Sequence, residues 1–460
     1  MPILLSLIIL LCWGLSPWIA DAGLLIWVAL IALAALQDSP RWGALSLLGG
    51  TAIQLFWVLA AWRDGQGESG LYYWIGLSLW QWAPLAGAVL LTWLTKDRLG
   101  LPVASGLAWS SAQFFGDSWQ FFPASAALFL ADTHYWLWPA SIGGTPLLTG
   151  LIAALSAWAF TAPRPALTAW IGWGLIGIVL PALGGTESMR RVGVIQPDVQ
   201  SLDARRPSLQ TPLEERILSL FSRAEREGAE LLLAPEGAWP TDPGSGAGSR
   251  RQAFLTALKG HPPLAVGATV GRQSRTNSVL GLENGVLRRV NKHTLVPIWE
   301  RALWGLGTEL YQPGGGRPVL NFRDLSIGVL ICYEDGFPER LRQVSGADLL
   351  LAPTNDSWLG AGAGSRTHLN AARLAAVLTG TWLVRPALSG RSAVFSRWGQ
   401  SVWSAPWIEL PYSETSGHVG VVEVGVGPGE HPGVWTQWWV GLSATLGLAW
   451  TLWLRARESR

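Results

Sequence analysis

Along its first 185 or so residues the chain runs apolar for a span's length at a time and carries few charges. The stretches at roughly 2–20, 23–36, 43–61, 71–94, 100–115, 135–161 and 166–184 approach the ~20 residues that a bilayer-crossing helix needs, those at 23–36 and 100–115 being short. Between about 187 and 432 the apolar runs shorten to strand length and alternate with polar segments. "VWTQWWVGLSATLGLAWTLWL" at 434–454 is uncharged again. This pattern predicts a membrane domain of about seven spans over 1–186, a folded domain over 187–432, and a C-terminal span with a short tail over 433–460.

Inside 187–432, "RVGVIQP", "AELLLAPEG", "PLAVGATV", "NSVLGLENG", "LSIGVLIC", "ADLLLAPTND" and "TWLVRPA" read as buried strands. "TPLEERILSLFSRAEREG" and "RTHLNAARLAAVLTG" read as amphipathic helices between them. Alternating strands and helices imply an α/β domain with helices covering its sheets. The Gly/Ser tracts "TDPGSGAGSR" and "LGAGAGSR" read as loops.

Eight spans leave both termini on one side. Arg41, Lys96 with Arg98, Arg164, and Arg455, Arg457 and Arg460 then share one face, while the opposite connectors hold Asp21, Arg63 with Asp64 and Glu68, Asp117 and Asp132. The excess of Lys and Arg in cytoplasmic connectors therefore predicts a multi-pass protein with cytoplasmic termini and an extracytoplasmic 187–432 domain. The chain opens without a positive start or a small-residue cleavage site, so a removable signal peptide is not expected.

Composition agrees with this picture: 49% of the 460 residues are hydrophobic and 14% charged, too apolar a balance for an ordinary soluble enzyme. A net charge of +2 gives no reason to expect nucleic acid as a partner. The 30 tryptophans cluster in and beside the spans, where indole rings anchor at the interface. Ionisable residues are nearly absent from the spans, which argues against a proton-driven transporter. Of the two cysteines, Cys12 reads as a small buried hydrophobe in a helix, and a disulfide between it and Cys332 is not expected.

Three strand ends carry functional groups: Glu236 after "LLLAP", Lys292 after "RRVN" and Cys332 after "GVLI". Sites collect at the carboxyl ends of strands in α/β sheets. A thiol beside a lysine ammonium is expected to have a depressed pKa, and a carboxylate can take the thiol proton and return it to a leaving group. The set suits acyl transfer through a thioester, with Lys292 and a backbone N–H beside Cys332 as oxyanion donors. His293 reads as a structural hydrogen-bonding residue, and Asp335 as fixing the turn after Cys332. The six histidines make no metal-binding pattern, and no nucleotide-binding or Ser-elbow motif is present, so neither metal nor cofactor is expected.

"APEG", "NKHTLVP" and "ICYED", in that order, resemble the Glu-Lys-Cys triad of the nitrilase (carbon-nitrogen hydrolase) superfamily. With the flanking spans, essentially the whole chain resembles the family of bacterial apolipoprotein N-acyltransferases. The resemblance implies an αββα sandwich outside the cytoplasmic (inner) membrane. It also implies transfer of an acyl chain from a phospholipid to the α-amine of a lipoprotein's diacylglyceryl-cysteine. It makes Glu236 the general base, Lys292 the oxyanion stabiliser and Cys332 the nucleophile, with Glu300, Tyr333 and Glu334 beside the site. The chain departs from the family's Phe-Gly-Glu-Tyr-Val-Pro in "PIWERALWG", and "TWLVRPALSGRSAVF" lacks the asparagines expected there. A monomer suffices for this chemistry. Two alternatives stay open: a membrane-anchored nitrilase-type amidohydrolase, and a non-catalytic scaffold that binds lipoproteins.

Overall fold

The computed structural model describes residues 1–19, 22–59, 70–119, 121, 125–183, 187–199, 207–243, 249–271, 274–302, 309–359, 362–407 and 417–458. The chain divides into two compact units, Met1–Gly185 with Gly362–Leu378 and His431–Arg460, and Thr186–Ala361 with Thr379–Glu430.

The first unit is helical. Helices α1 (Pro2–Leu15), α2 (Leu24–Ala35), α3 (Pro40–Gln54), α4 (Gly70–Leu99), α5 (Leu101–Trp119), α6 (Ala126–Leu130), α7 (Trp138–Thr161) and α8 (Pro163–Val179) follow in order. A helix thus stands at each of the seven N-terminal apolar stretches. Among the described residues, Gly70–Leu99, Trp138–Thr161 and Pro163–Leu183 are long and apolar enough to cross a membrane. Pro2–Leu15 and Leu24–Ala35 are apolar but shorter. The connector residues Asp21, Arg63, Asp64 and Glu68, and Arg460, lie outside the described residues.

The second unit is α/β. Its first sheet holds β1 (Ser188–Gln196), β2 (Leu231–Leu233), β3 (Leu264–Val270), β4 (Thr276–Glu283), β5 (Val286–Asn291) and β12 (His418–Val426), in the order β12-β1-β2-β3-β4-β5. The second holds β6 (Val319–Phe322), β7 (Leu325–Val329), β8 (Leu349–Leu351), β9 (Leu383–Arg385), β10 (Ala393–Phe395) and β11 (Ser401–Ser404), in the order β11-β10-β9-β8-β7-β6. Each sheet has a parallel core of three strands, β1-β2-β3 and β7-β8-β9, with antiparallel neighbours outside.

Alternation along the strands explains the layering. Val192, Val194, Leu231 and Leu233 of the first sheet meet Ile327, Val329, Leu349 and Leu351 of the second in one dry core. On the outer face of the first sheet, Leu213, Ile217, Leu220, Phe221 and Ala224 form the apolar stripe of α9 (Pro207–Arg226), and Phe254 of α10 (Ser249–Ala257) joins them. Outside the second sheet, Val344 of α11 (Pro338–Val344) sits against Gly328, where a Cβ would stand 2.7 Å from it.

All seven anticipated strands are present. Two loop expectations need correcting at their C-terminal ends: α12 (Ala363–Thr379) begins inside "LGAGAGSR", so residues 363–366 are helical. The apolar stripe that continues through 379 carries the helix back over its Gly/Ser start. α10 likewise begins at Ser249 in the other tract. The last helix, α13 (Gly433–Glu458), occupies the C-terminal apolar run.

Candidate active site

Glu236 leaves the end of β2 on a bend that only a glycine opposite permits. A Cβ on Gly267 of β3 would stand 2.4 Å from the Pro235 carbonyl oxygen and 2.6 Å from the Glu236 Cα. The two backbones interlock there, with Gly267 N–H donating to Pro235 O at 3.1 Å and Trp239 N–H to Gly267 O at 2.9 Å.

Lys292 follows β5 and its backbone is tied on both sides, its N–H to Asn277 O at 2.8 Å and its carbonyl to Gly314 N–H at 2.7 Å. The side chain is 1% exposed. Its Nζ lies 3.3 Å from Glu236 Oε1 and 2.9 Å from Glu300 Oε2, so one ammonium bridges two carboxylates. Asn277 Nδ2 donates to Oε1 of both glutamates, to Glu300 at 3.2 Å. Glu300 reaches back to the Val296 N–H at 2.8 Å, which a bend at Ile298 allows. Ile298 has φ +74°, a rare conformation for a β-branched residue.

Cys332 follows β7, opens a 3-10 turn over Cys332–Gly336 and has φ +53°. A non-glycine residue held there is strained by about 1–3 kcal/mol, and such strain concentrates at functional sites. Its N–H donates to Pro353 O at 2.9 Å and is therefore occupied. The thiol is 3% exposed and interacts with Glu236, Lys292, Asp356 and the Thr354 side chain. The structure thus brings Glu236, Lys292 and Cys332 into one buried cluster, with Glu300 against Lys292.

The electrostatics correct one expectation. Burial pushes the Cys332 thiol well above the ordinary cysteine range, and the Glu236 carboxylate adds to this; Lys292 opposes without prevailing. Burial pulls the Lys292 ammonium down, but Glu236, Glu300 and Cys332 hold it well above the ordinary lysine range. One cation already faces two carboxylates, so a thiolate would add a second uncompensated charge. These charges favour a thiol at Cys332, and an attack by its sulfur would need a base. In Cys12→Ala protein without substrate, the rate of Cys332 alkylation should inflect well above about pH 8.5, the free-cysteine value. An inflection below that value would show a preformed thiolate and contradict the charge count.

Glu334 and Tyr333 follow Cys332 and serve its turn in different ways. Glu334 is fully buried and accepts from the N–H groups of His293 (2.8 Å), Thr294 (3.0 Å) and Ile331 (2.9 Å). Arg340, 2% exposed, pairs with it at 3.1 Å. It thereby clamps the segment after Lys292 to the strand end before Cys332. Replacing it by Gln keeps one acceptor oxygen, turns an NH2 group toward the N–H donors at the other, and strands the Arg340 charge. Glu334→Gln should therefore cost about 3–5 kcal/mol in thermal or denaturant unfolding, the range for breaking a buried ion pair. Unchanged stability would deny the clamp. Tyr333 is buried, stacks edge-on to Phe337 at 4.6 Å, and has its phenol raised by burial.

His293 Nδ1 bonds the Gly314 carbonyl at 2.6 Å, a structural contact. Asp335 is buried in the same turn as Cys332. Sequence reasoning missed Asn277: an asparagine within a strand announces nothing, and its partners are 41 and 23 positions away. It also missed the pair of Asp356 and Arg385, both fully buried and 2.7 Å apart, behind the thiol. Of "PIWERALWG", residues 303–305 lie outside the described residues.

Residues 191–415 match the carbon-nitrogen hydrolase family. The chain is 26% identical to an apolipoprotein N-acyltransferase of Gloeobacter violaceus, over 95% of this chain and 90% of that one. It is 28% identical to one of Parasynechococcus marenigrum, over 83% and 87%. A solved amidase of the nitrilase superfamily, from Nesterenkonia AN1, superposes with TM-score 0.39 and 20% identity, over 52% of this chain and 92% of its own.

Proposed function

From the match of residues 191–415 to the carbon-nitrogen hydrolase family, we propose that the protein transfers a fatty acyl chain from a phospholipid to the N-terminal amine of a diacylated lipoprotein. The observation that carries this reading is the buried convergence of Cys332, Lys292 and Glu236 in such a domain. Similarity to named apolipoprotein N-acyltransferases along most of the chain supports it.

The chemistry follows from the charges. Glu236 takes the Cys332 proton as Sγ attacks the ester carbonyl carbon, and Lys292 stabilises the oxyanion. Collapse breaks the ester C–O bond, and the lysophospholipid leaves with the proton that Glu236 held. The lipoprotein amine then attacks the thioester, gives a proton to Glu236, and departs as an amide while the thiol is restored. Glu300 balances the Lys292 charge, and Glu334 and Tyr333 shape the turn that presents the sulfur. No cofactor enters the balance.

In this reading residues 1–186 form a membrane domain of about seven spans, 187–432 the extracytoplasmic catalytic domain, and 433–460 a final span and cytoplasmic tail. The protein then sits in the inner membrane as a monomer. Mass spectrometry after incubation with a phospholipid and no acceptor tests the donor half-reaction. One hydroxylamine-labile acyl group on Cys332, released by a lipopeptide amine, is expected. An alkylatable Cys332 that never acylates would favour a small-amide hydrolase; an inert one would favour a scaffold.

A further inference from the structure

Between α4, α5 and α13 of the helical unit lies a cavity of about 430 Å³. Its size falls within the range of ligand pockets, roughly 300–1,000 Å³, and exceeds the packing voids of a close-packed interior. Small residues make it: Gly87 on α4, Ala112 on α5 and Ala449 on α13 line it and hold the helix surfaces apart. Pro84, inside α4, removes one main-chain hydrogen bond at the same wall. Two hydroxyls that line the cavity, Ser111 Oγ and Thr445 Oγ1, bond one another at 2.8 Å. Their polarity is thereby spent, and the hollow suits hydrocarbon.

One end of the cavity leads to charge. Leu91 of α4 and Leu452 of α13 line it. One turn further along each helix stand Leu94 and Arg455, and Arg455 Nη1 donates to the Leu94 carbonyl. Arg98, a turn beyond Leu94, pairs with Glu458, and Arg457 lies 4.2 Å over the Trp453 ring. Three arginines and Lys96 gather at this end with three carboxylates, Asp38, Asp97 and Glu458; Lys96 pairs with Asp38 and Arg98 with Glu458. Arg455 carries five N–H donors in a fork that matches a phosphate.

We propose that this cavity holds an acyl chain of one anionic phospholipid, whose phosphate is met by Arg455. The inference rests on the membrane-spanning reading of α4, α5 and α13. An apolar hollow open among spanning helices is filled by lipid chain, and basic residues at the cytoplasmic ends of such helices select anionic headgroups.

Native mass spectrometry of the full-length Cys332→Ala protein, given equal phosphatidylglycerol and phosphatidylcholine of identical chains, tests this. One retained phosphatidylglycerol is expected, favoured about five- to tenfold, the scale of roughly 1 kcal/mol per basic residue. Arg455→Gln should bring the ratio near one while a lipid is still retained. Ala449→Phe and Gly87→Leu, which fill the hollow from different helices, should each empty it. Equal retention of the two lipids by Cys332→Ala protein, or full retention in both filled variants, would overturn the proposal. The acyl-transfer reading fails separately: wild-type protein that never acylates Cys332, beside lipid retention that the filled variants abolish, would remove the enzyme and leave the lipid site.

Discussion

Cys332→Ala should abolish acyl transfer, by about 10⁴-fold or more, while leaving the fold intact. The sulfur is the one group in the cluster that can carry the acyl chain, and no neighbour replaces it. Glu236 and Glu300 are both engaged by the Lys292 ammonium, and Asn277 holds both in place. Removing a single buried sulfur leaves a hollow smaller than a methionine or leucine truncation would, so the stability cost stays near 1 kcal/mol. The variant should melt close to wild type, take no hydroxylamine-labile label, and give no acylated lipopeptide. Residual transfer within tenfold of wild type would place the covalent step elsewhere and sink the thioester route.

Lys292→Met should be costlier in a different way. The substitution keeps most of the side-chain volume and deletes the charge, leaving Glu236 and Glu300 facing each other with Asn277 as their shared donor. Breaking a buried ion pair from one side costs about 3–5 kcal/mol, because the stranded charge stays desolvated. Transfer should vanish together with a large loss of stability. Adding Glu300→Gln removes one of the two stranded carboxylates and should restore much of the stability without restoring transfer. If the double variant is no more stable than Lys292→Met alone, Glu300 is not the counter-charge that the geometry makes it.

The strand-end residues were legible because Glu236 and Cys332 each end an apolar run in a group with its own chemistry, while Lys292 follows the mixed strand "VLRRVN" and was legible through its motif. The strands were legible for the same reason, since β1, β2, β3, β7 and β8 are dense in Val, Leu and Ile. What stayed hidden depends on proximity across the fold. Asn277 joins two carboxylates, yet its side chain is ordinary for a strand. Glu334 sits two positions after Cys332 in sequence, but its work as an acceptor for His293 and Thr294 needs two segments about 40 residues apart to meet. The thiol's charge state was misjudged because a count of cations near sulfur omits burial and the second carboxylate. The helical start within "LGAGAGSR" was hidden because glycine and serine tracts signal loops until a following stripe recruits them.

The left-handed backbone at Cys332 bears on what a saturation library at this position would recover. Glycine, asparagine and aspartate tolerate that conformation most readily, and none can form a lasting acyl adduct there. Threonine has a hydroxyl nucleophile, but its branched Cβ is the poorest fit to this φ. Serine is then the one hydroxyl replacement with a plausible shape, and any surviving activity in such a library should trace to it. The mutational path away from sulfur at this protein is therefore one residue wide.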